Sequence, residues 1–126
     1  CPTAQSLGHA ILPDYEFRFA VHADLIKNGN KIAHGVLWDI TKDDLRSLDA
    51  LEGYPYYYDR KVVEVIHNGK KVRALTYYMQ PGNPDNLPSK GYVDMLIEGY
   101  NSHNVPLIQI NDALLFIKKY NIQKYL

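Results

Sequence analysis

The order of apolar and polar residues predicts β-strands in the first third of the chain. Between Tyr15 and His22, apolar residues alternate with polar ones, which is typical of a strand with one buried face. Asn28-Gly29-Asn30 then predicts a turn, because asparagine and glycine accept the backbone angles that turns need. In the segment 32–40 both faces are largely apolar. We therefore expect that segment to be a central strand, covered on both sides.

A second region of alternation predicts a β-hairpin. Residues 58–67 and 71–79 both alternate, and they flank the pair Asn68-Gly69. Asn-Gly is a strong signal for a two-residue hairpin turn, because both of its residues adopt positive φ readily. We expect two antiparallel strands that are joined at this pair.

Helix signals replace the alternation over residues 41–52. Thr41 and Asp44 have the spacing of a capping box, in which a hydroxyl and an acid bind the free N–H groups at the start of a helix. Gly53 stands where a helix usually ends, because glycine can adopt the left-handed conformation. These signals predict a helix from about residue 41 to residue 52.

The predicted helix separates one acid from the others. At about 100° per residue, Glu52 falls on the same face as Leu45 and Leu48. The remaining charged residues lie elsewhere, with Asp49 at the margin of that face and Asp43, Asp44 and Arg46 toward solvent. A carboxylate that faces an apolar interior is costly unless it has a partner or a task. The other interpretation, in which Glu52 ends the last helical turn in water, remains open at this point.

The second half of the chain predicts two further helices and a long loop. Residues 80–88 contain three prolines and form the loop, either as a lid over a pocket or as a plain surface connection. Ser89 is placed to cap the next helix, whose predicted packed face comprises Tyr92, Met95, Leu96, Gly99 and Tyr100. A short loop at 101–105 precedes a last helix that begins at Pro106 and packs through Ile110, Leu114 and Ile117.

Strands followed by helices indicate an α+β fold, with a mostly antiparallel sheet or barrel and helices at its ends. The chain has 126 residues, which suits one domain over residues 1–126. Its net charge is zero, so we expect neither nucleic acid nor an anionic membrane as a partner. No apolar run approaches the roughly 18 residues of a membrane span. The single cysteine, Cys1, suits a reducing compartment and hence the cytoplasm.

Most familiar catalytic chemistries lack their motifs in this sequence. The five histidines are scattered and there is no CxxC pair, so we expect no metal site, and we interpret His34 as a hydrogen-bonded core residue. Dinucleotide, P-loop and α/β-hydrolase motifs are missing as well. Eleven tyrosines against three phenylalanines suit either a pocket with polar contents or an ordinary sheet. Acid/base chemistry at Glu52 is the one local signal that remains.

Six segments, taken in order, resemble the γ-glutamylcyclotransferase family. The most specific is Leu48-Asp49-Ala50-Leu51-Glu52-Gly53, together with the tyrosines that follow it. The others are residues 35–40, 44–45, 58–65, 74–79 and 88–92, and the segments 1–4 and 15–19 are also similar to that family. The resemblance covers the chain from its first residue to about residue 100.

This resemblance implies a fold, a reaction and a set of site residues. The fold is a small mixed β-barrel, mostly antiparallel, with peripheral helices. In the reaction, the α-amine of a γ-glutamyl compound attacks its own γ-amide and releases 5-oxoproline and an amine or amino acid, without metal or cofactor. Glu52 occupies the position of the family's catalytic glutamate, and Tyr58, Tyr77 and Tyr92 match tyrosines in or near its pocket. The sequence names neither the leaving group nor the oligomeric state.

The sequence departs from the family at one motif. The family carries a Tyr-Gly-Ser-Asn loop after its first strand, and the loop's amides hold the substrate, but this chain has no such motif. We expect the working protein to carry that strand and loop upstream of Cys1, because a barrel without them would expose an open edge and a hydrophobic slot. The alternative is a non-catalytic module of the same fold that binds a small ligand or a partner.

Overall fold

The computed structural model describes residues 2–124, with side chains described as far as residue 118. Over these residues the chain forms four strands and three helices. The strands are β1 (Gln5–Ala20), β2 (His22–Asp39), β3 (Tyr58–His67) and β4 (Lys70–Met79), and the helices are α1 (Lys42–Glu52), α2 (Lys90–Ser102) and α3 (Ile108–Lys124). The predicted α+β class is therefore confirmed.

The four strands form one antiparallel sheet in the order β2-β1-β3-β4. Side chains from all four strands meet in one apolar cluster, and the sheet must curve to bring them together. The buried members of the cluster are Ala10, Leu12, Ala33 and Val65, and Val72 and Ala74 of β4 pack against them. Over the described residues the sheet is not closed, so the predicted barrel is not confirmed.

The chain reverses direction at Val21, and the predicted turn at residues 28–30 is wrong. Ala20 pairs with His22 across the reversal, where Val21 has a φ of 65°. The backbone N–H of Val21 donates to Asn86 O at 3.2 Å, so the loop after β4 supports this tight turn. The sequence gives no turn signal at Val21, because valine rarely adopts positive φ.

Residues 28–31 instead form a bulge inside β2. Tyr15 pairs with Lys27 and Pro13 pairs with Ile32, so Asp14 alone lies opposite these four residues. Asp14 and Asn30 adopt φ of 63° and 72°, angles that aspartate and asparagine tolerate better than most residues. The turn-forming residues thus accommodate an irregularity between two long strands.

Two further predictions about the sheet are wrong. β2 is an edge strand and not a central one, and consistently Ile32 and Trp38 are 52% and 46% exposed. The apolar residues of β2 do not require a neighbouring strand on each side, because one face of β2 packs into the core and the other face is partly exposed to solvent. β1 also begins at Gln5, ten residues before the predicted strand. The hairpin at Asn68-Gly69 is confirmed, with φ of 50° and 75° at its two turn residues.

Helix α1 has the predicted capping box. Thr41 Oγ1 accepts from the backbone N–H of Asp44 at 3.1 Å, and Asp44 Oδ2 accepts from the backbone N–H of Thr41 at 3.0 Å. The prediction that Asp44 faces solvent is wrong, because it is only 4% exposed, and Thr3 Oγ1 also donates to its Oδ1. Gly53 ends the helix in the left-handed conformation, with a φ of 65°. The helix and both of its boundaries are as predicted.

Helices α2 and α3 pack against the outer part of β1. Ser89 caps α2 as predicted, and Phe19, Ile110 and Ile117 are the buried centre of this second core. Tyr92, Leu96 and Tyr100 pack against that core, as predicted for α2. Met95 is 58% exposed and Gly99 is exposed, so their predicted packing is wrong, and α3 begins at Ile108.

Gln109 joins α3 to the edge strand. Its Oε1 accepts from the backbone N–H of His34 at 2.7 Å, and its Nε2 donates to the carbonyl of His34 at 2.8 Å. This pair of bonds occupies both backbone groups of one β2 residue. The His34 ring is half-buried and forms a hydrogen bond of 2.8 Å with the ring of His9, so the hydrogen bond predicted for it is confirmed.

Candidate active site

Glu52 is the last residue of α1, and the turn that follows it leads directly into β3. Gly53 O accepts from the backbone N–H groups of Tyr56 and Tyr57, at 2.8 and 2.9 Å. A Cβ atom at Gly53 would lie 3.2 Å from the Cβ of Tyr57, so glycine is favoured here by both its φ and its close packing. This compact turn fixes the end of α1 next to the start of β3.

Tyr58 and Tyr92 are both held by the backbone of Ala23, near the start of β2. The hydroxyl of Tyr58 donates to the carbonyl oxygen of Ala23 at 2.5 Å. The backbone N–H of Ala23 donates to the hydroxyl oxygen of Tyr92 at 3.1 Å. Tyr58 is buried, and Tyr92 is half-buried. The backbone of Ala23 therefore positions a tyrosine from β3 and a tyrosine from α2.

Tyr77 is held by a charged network that joins α1, β3 and β4. Its hydroxyl donates to Asp49 Oδ1 at 2.7 Å. Arg60 Nη1 lies 3.0 Å from Asp49 Oδ2, and its guanidinium lies 4.4 Å from the centre of the Tyr54 ring. Asp49 therefore connects α1 with β3 and β4, although the sequence placed it only at the margin of the helix face.

The four predicted site residues come together in one cluster. Burial raises the pKa of Tyr58, Tyr77 and Tyr92, and the nearby charge of Glu52 raises each of them further. The carboxyl group of Glu52 is itself partly buried, which raises its pKa, and the charge of His22 acts in the opposite direction. The structure thus places a carboxylate with increased proton affinity among three tyrosine side chains.

His22 is a member of this cluster that the sequence did not single out. Its Nδ1 lies 2.9 Å from the hydroxyl oxygen of Tyr57, and its ring packs edge to face against Tyr92 at 5.0 Å. In the sequence, His22 stands at the end of a predicted strand and is one of five scattered histidines. Its position next to Glu52 arises because the reversal at Val21 brings β2 back toward the end of α1.

Glu52 and Tyr77 line a groove of about 760 Å³ between α1, β2 and β4. The wall includes the consecutive residues 36–40, which comprise the end of β2 and the residue after it, and residues 72–77 of β4. Because successive residues of a strand point to opposite faces, a consecutive run indicates that strand edges line the groove. Tyr58 and Tyr92 lie outside that lining. A second groove of about 470 Å³, next to α3, contains none of the four residues.

Neither a metal cluster nor a membrane span is found in the part of the chain that the structure describes. No group of three or more histidine, cysteine, aspartate or glutamate residues within 2–124 is arranged to bind a metal ion. None of the helices over the same residues has the length and apolar composition that crossing a bilayer requires.

The family model "Gamma-glutamyl cyclotransferase, AIG2-like" matches residues 1–94. The chain belongs to this family. A curated relative, the "Putative gamma-glutamylcyclotransferase" of Methanocaldococcus jannaschii, is 33% identical over 67 residues, which are 48% of this chain. The match spans only 56% of the archaeal protein's length.

Solved structures share the fold of this gamma-glutamyl cyclotransferase family member. A human protein described as uncharacterized superposes with a TM-score of 0.79 at 24% identity, over 89% of this chain and 74% of its own. A gamma-glutamyl cyclotransferase superposes with a TM-score of 0.78 at 23% identity, with the same coverage. At such identity these likenesses establish the fold alone, so the function is argued from the site.

Proposed function

We propose that this protein is a γ-glutamylcyclotransferase-like enzyme with Glu52 as its general base and acid. The observation that carries the proposal is the position of Glu52, partly buried beside an open groove and next to three tyrosines. Burial raises the pKa of Glu52 toward neutrality, which suits a group that must both accept and release a proton.

The substrate supplies its own nucleophile in this reaction. Glu52 takes a proton from the substrate's α-ammonium group, and the freed amine attacks the γ-carbonyl carbon to form a C–N bond. The attack closes the ring. The tetrahedral intermediate then breaks its bond to the leaving nitrogen, which receives the proton from Glu52, and the ring nitrogen gives its second proton to the carboxylate that is left, which releases it to water. The products are 5-oxoproline and a free amine or amino acid. Intramolecular attack of this kind gains up to about 7–11 kcal/mol from proximity when the geometry is ideal.

We assign substrate positioning to the three tyrosines. Because the Tyr92 oxygen accepts from Ala23, its hydroxyl hydrogen is free to donate to an anionic group such as the substrate's α-carboxylate. Tyr58 donates its hydrogen to Ala23 and keeps lone pairs that can accept from an ammonium group. Tyr77, which is fixed by Asp49, packs edge to face against the ring of Tyr58 at 6.5 Å and so holds that tyrosine in place. These assignments suit a small γ-glutamyl substrate that carries its α-ammonium and α-carboxylate groups at the same end.

We further propose that the working protein completes the sheet with a strand in the groove between β2 and β4. Over the described residues, β2 pairs with β1 alone and β4 with β3 alone, so each presents an unpaired edge to the groove. Such edges pair readily with an added strand. Trp38, Leu51 and Leu75 expose apolar surface beside the same groove. A strand that is followed by a turn would bring backbone N–H groups near Glu52, where they would stabilise the oxyanion of the intermediate.

The test is release of 5-oxoproline by the complete natural chain from a panel of γ-glutamyl amino acids, γ-glutamylamines and glutathione. We expect activity on at least one class, and a loss of at least about a hundredfold in kcat for Glu52→Gln, which keeps the shape but transfers no proton. Asp43→Asn removes an exposed acid from the same helix and is the matched control. A folded Glu52→Gln protein with native activity would reject the mechanism.

A non-catalytic binding module is the second candidate. It is favoured by the open sheet, since over the described residues β2 and β4 are edge strands that do not pair with each other. In that case, the complete chain is inactive on the whole panel but binds 5-oxoproline or a γ-glutamyl compound in calorimetry. Binding that persists in Glu52→Gln but weakens in Tyr92→Phe would identify a ligand site without catalysis.

A further inference from the structure

Glu52 lies in the last turn of α1, between two residues that contact the same arginine. Asp49 precedes it by three residues, and Tyr54 follows it by two. The backbone N–H of Tyr54 donates to the carbonyl oxygen of Asp49 at 2.9 Å, so the segment 49–54 closes on itself around Glu52. A contact that fixes both Asp49 and Tyr54 therefore fixes the backbone position of Glu52 as well.

Arg60 of β3 contacts both ends of this segment. Its Nη1 donates to Asp49 Oδ1 at 3.2 Å and to Asp49 Oδ2 at 3.0 Å. Its guanidinium carbon lies 4.4 Å from the centre of the Tyr54 ring, which is within the range of a cation–π contact. A planar guanidinium suits both contacts, because its edge can donate hydrogen bonds while its face packs on a ring. One side chain thus holds the segment 49–54 at its two ends.

The sheet sets the position of Arg60. Arg60 of β3 pairs with Tyr77 of β4 across the hairpin, and the Tyr77 hydroxyl donates to the same Asp49 carboxylate at 2.7 Å. The side chains of Arg60 and Asp49 are 25% and 23% exposed, so water reaches only part of their ion pair. Hydrogen bonds between charged groups are stronger than those between neutral ones. Two paired strands therefore present two donors to one carboxylate of α1.

We propose that Arg60 is a positioning residue for the acid/base step at Glu52. By binding Asp49 and Tyr54, it holds the last turn of α1 against β3 and so keeps Glu52 in its place in the wall of the groove. The inference rests on the proposed function and adds a residue to it. Placement matters because a displacement of about 1 Å at a catalytic group can cost about a hundredfold in rate.

The experiment is steady-state release of 5-oxoproline by the complete chain, with the panel substrate that the native protein turns over fastest. In Arg60→Met, which keeps a long side chain but lacks the guanidinium, we expect kcat to fall at least about tenfold while KM changes by less than about twofold. Arg60→Lys keeps the charge without the planar fork, so it should recover part of the loss. Arg46→Met is the matched control, because it removes an exposed arginine of α1, and it should leave both constants unchanged.

Combining Arg60→Met with Glu52→Gln separates positioning of Glu52 from a general structural effect. If Arg60 acts through Glu52, its substitution should change the residual kcat of Glu52→Gln by less than about twofold, because the group that it positions is already missing. Equal fold-losses in the native and Glu52→Gln backgrounds would overturn the proposal, since they would indicate a structural contact only. Native kcat in Arg60→Met would overturn it as well.

A second measurement needs no turnover. Hydrogen exchange of the Tyr54 amide, followed by NMR, should be at least about tenfold faster in Arg60→Met than in the native chain, because this amide donates to Asp49 O. The amide of Leu45, which donates to Thr41 O at the start of α1, should exchange at its native rate.

The exchange rates also distinguish this proposal from the proposed reaction. Equal acceleration at Tyr54 and Leu45, or none at Tyr54, would reject the role of Arg60, whatever the activity. Absence of 5-oxoproline release from the native chain, together with selective acceleration at Tyr54, would instead reject the proposed reaction and leave the contacts of Arg60 intact.

Discussion

The carboxylate of Asp24 accepts a hydrogen bond from the backbone N–H of Met79 at 2.7 Å. Asp24 is near the start of β2 and Met79 ends β4, so the bond joins the two edge strands of the sheet. The same carboxylate accepts from Arg18 Nε at 2.8 Å and from Leu25 N at 2.8 Å. The two edges are therefore fastened at one end, while the groove beside Glu52 separates them at the other.

Asp24→Ala should destabilise the protein strongly. Asp24 is only 4% exposed, and its removal takes the acceptor from one side-chain donor and two backbone donors. We expect the free energy of unfolding to fall by about 3 kcal/mol, measured by urea denaturation. Asp43→Ala, at an exposed position, should change it by less than about 0.5 kcal/mol. Similar losses in the two variants would contradict a structural role for this network.

Glu52→Gln should stabilise the folded protein near neutral pH. Burial raises the folded-state pKa of Glu52 above its unfolded value. The stability that this group contributes is therefore complete below the unfolded pKa, and it is lost as the pH rises through the folded pKa. We expect Glu52→Gln to increase Tm by about 1–3 °C at pH 7, measured by differential scanning calorimetry.

That stabilisation should disappear in acid. At pH 3.5 the native carboxyl is largely protonated, so native protein and Glu52→Gln are both neutral at this position. Glu98→Gln, which changes an exposed glutamate on α2, should show no comparable gain at pH 7. A lower Tm for Glu52→Gln at pH 7 would indicate that the carboxylate is stabilised by contacts rather than strained by burial.

The bond between Tyr77 and Asp49 should be measurable as a coupling energy. Tyr77→Phe removes the hydroxyl that donates to Asp49 at 2.7 Å, and Asp49→Ala removes the acceptor. In a double-mutant cycle by urea denaturation we expect a coupling of about 1 kcal/mol. The same cycle between Tyr77→Phe and Asp43→Ala should give a coupling near zero. Equal values in both cycles would show that the bond contributes nothing specific.

The elements with strong local signals were predictable from the sequence. The capping box at Thr41 and Asp44 and the glycine at position 53 defined α1, and Asn68-Gly69 defined the hairpin, because each of these signals acts within a few residues. The resemblance to the family placed Glu52, Tyr58, Tyr77 and Tyr92 as site residues, and the structure brings them into one cluster. Their catalytic and binding roles remain predictions.

The elements that depend on distant contacts were not predictable. The reversal at Val21 is supported by Asn86, and the bulge at residues 28–31 depends on the register of β1 against β2. Asp44 is buried because Thr3, far away in the sequence, also donates to its carboxylate, a contact that helical periodicity does not reveal. His22 carried no signal of its own, since only that reversal brings it close to Glu52.

The sequence by itself determined the α+β class, the first helix with its caps, the second hairpin and the acid that the proposed chemistry uses. These depend on periodicity and on hydrogen bonds between residues close in the chain. Only the tertiary structure decided where the chain reverses, which strands form the edges and which groups surround Glu52. Contacts between residues far apart in sequence set these features, because burial and charge at one residue depend on what the fold brings against it.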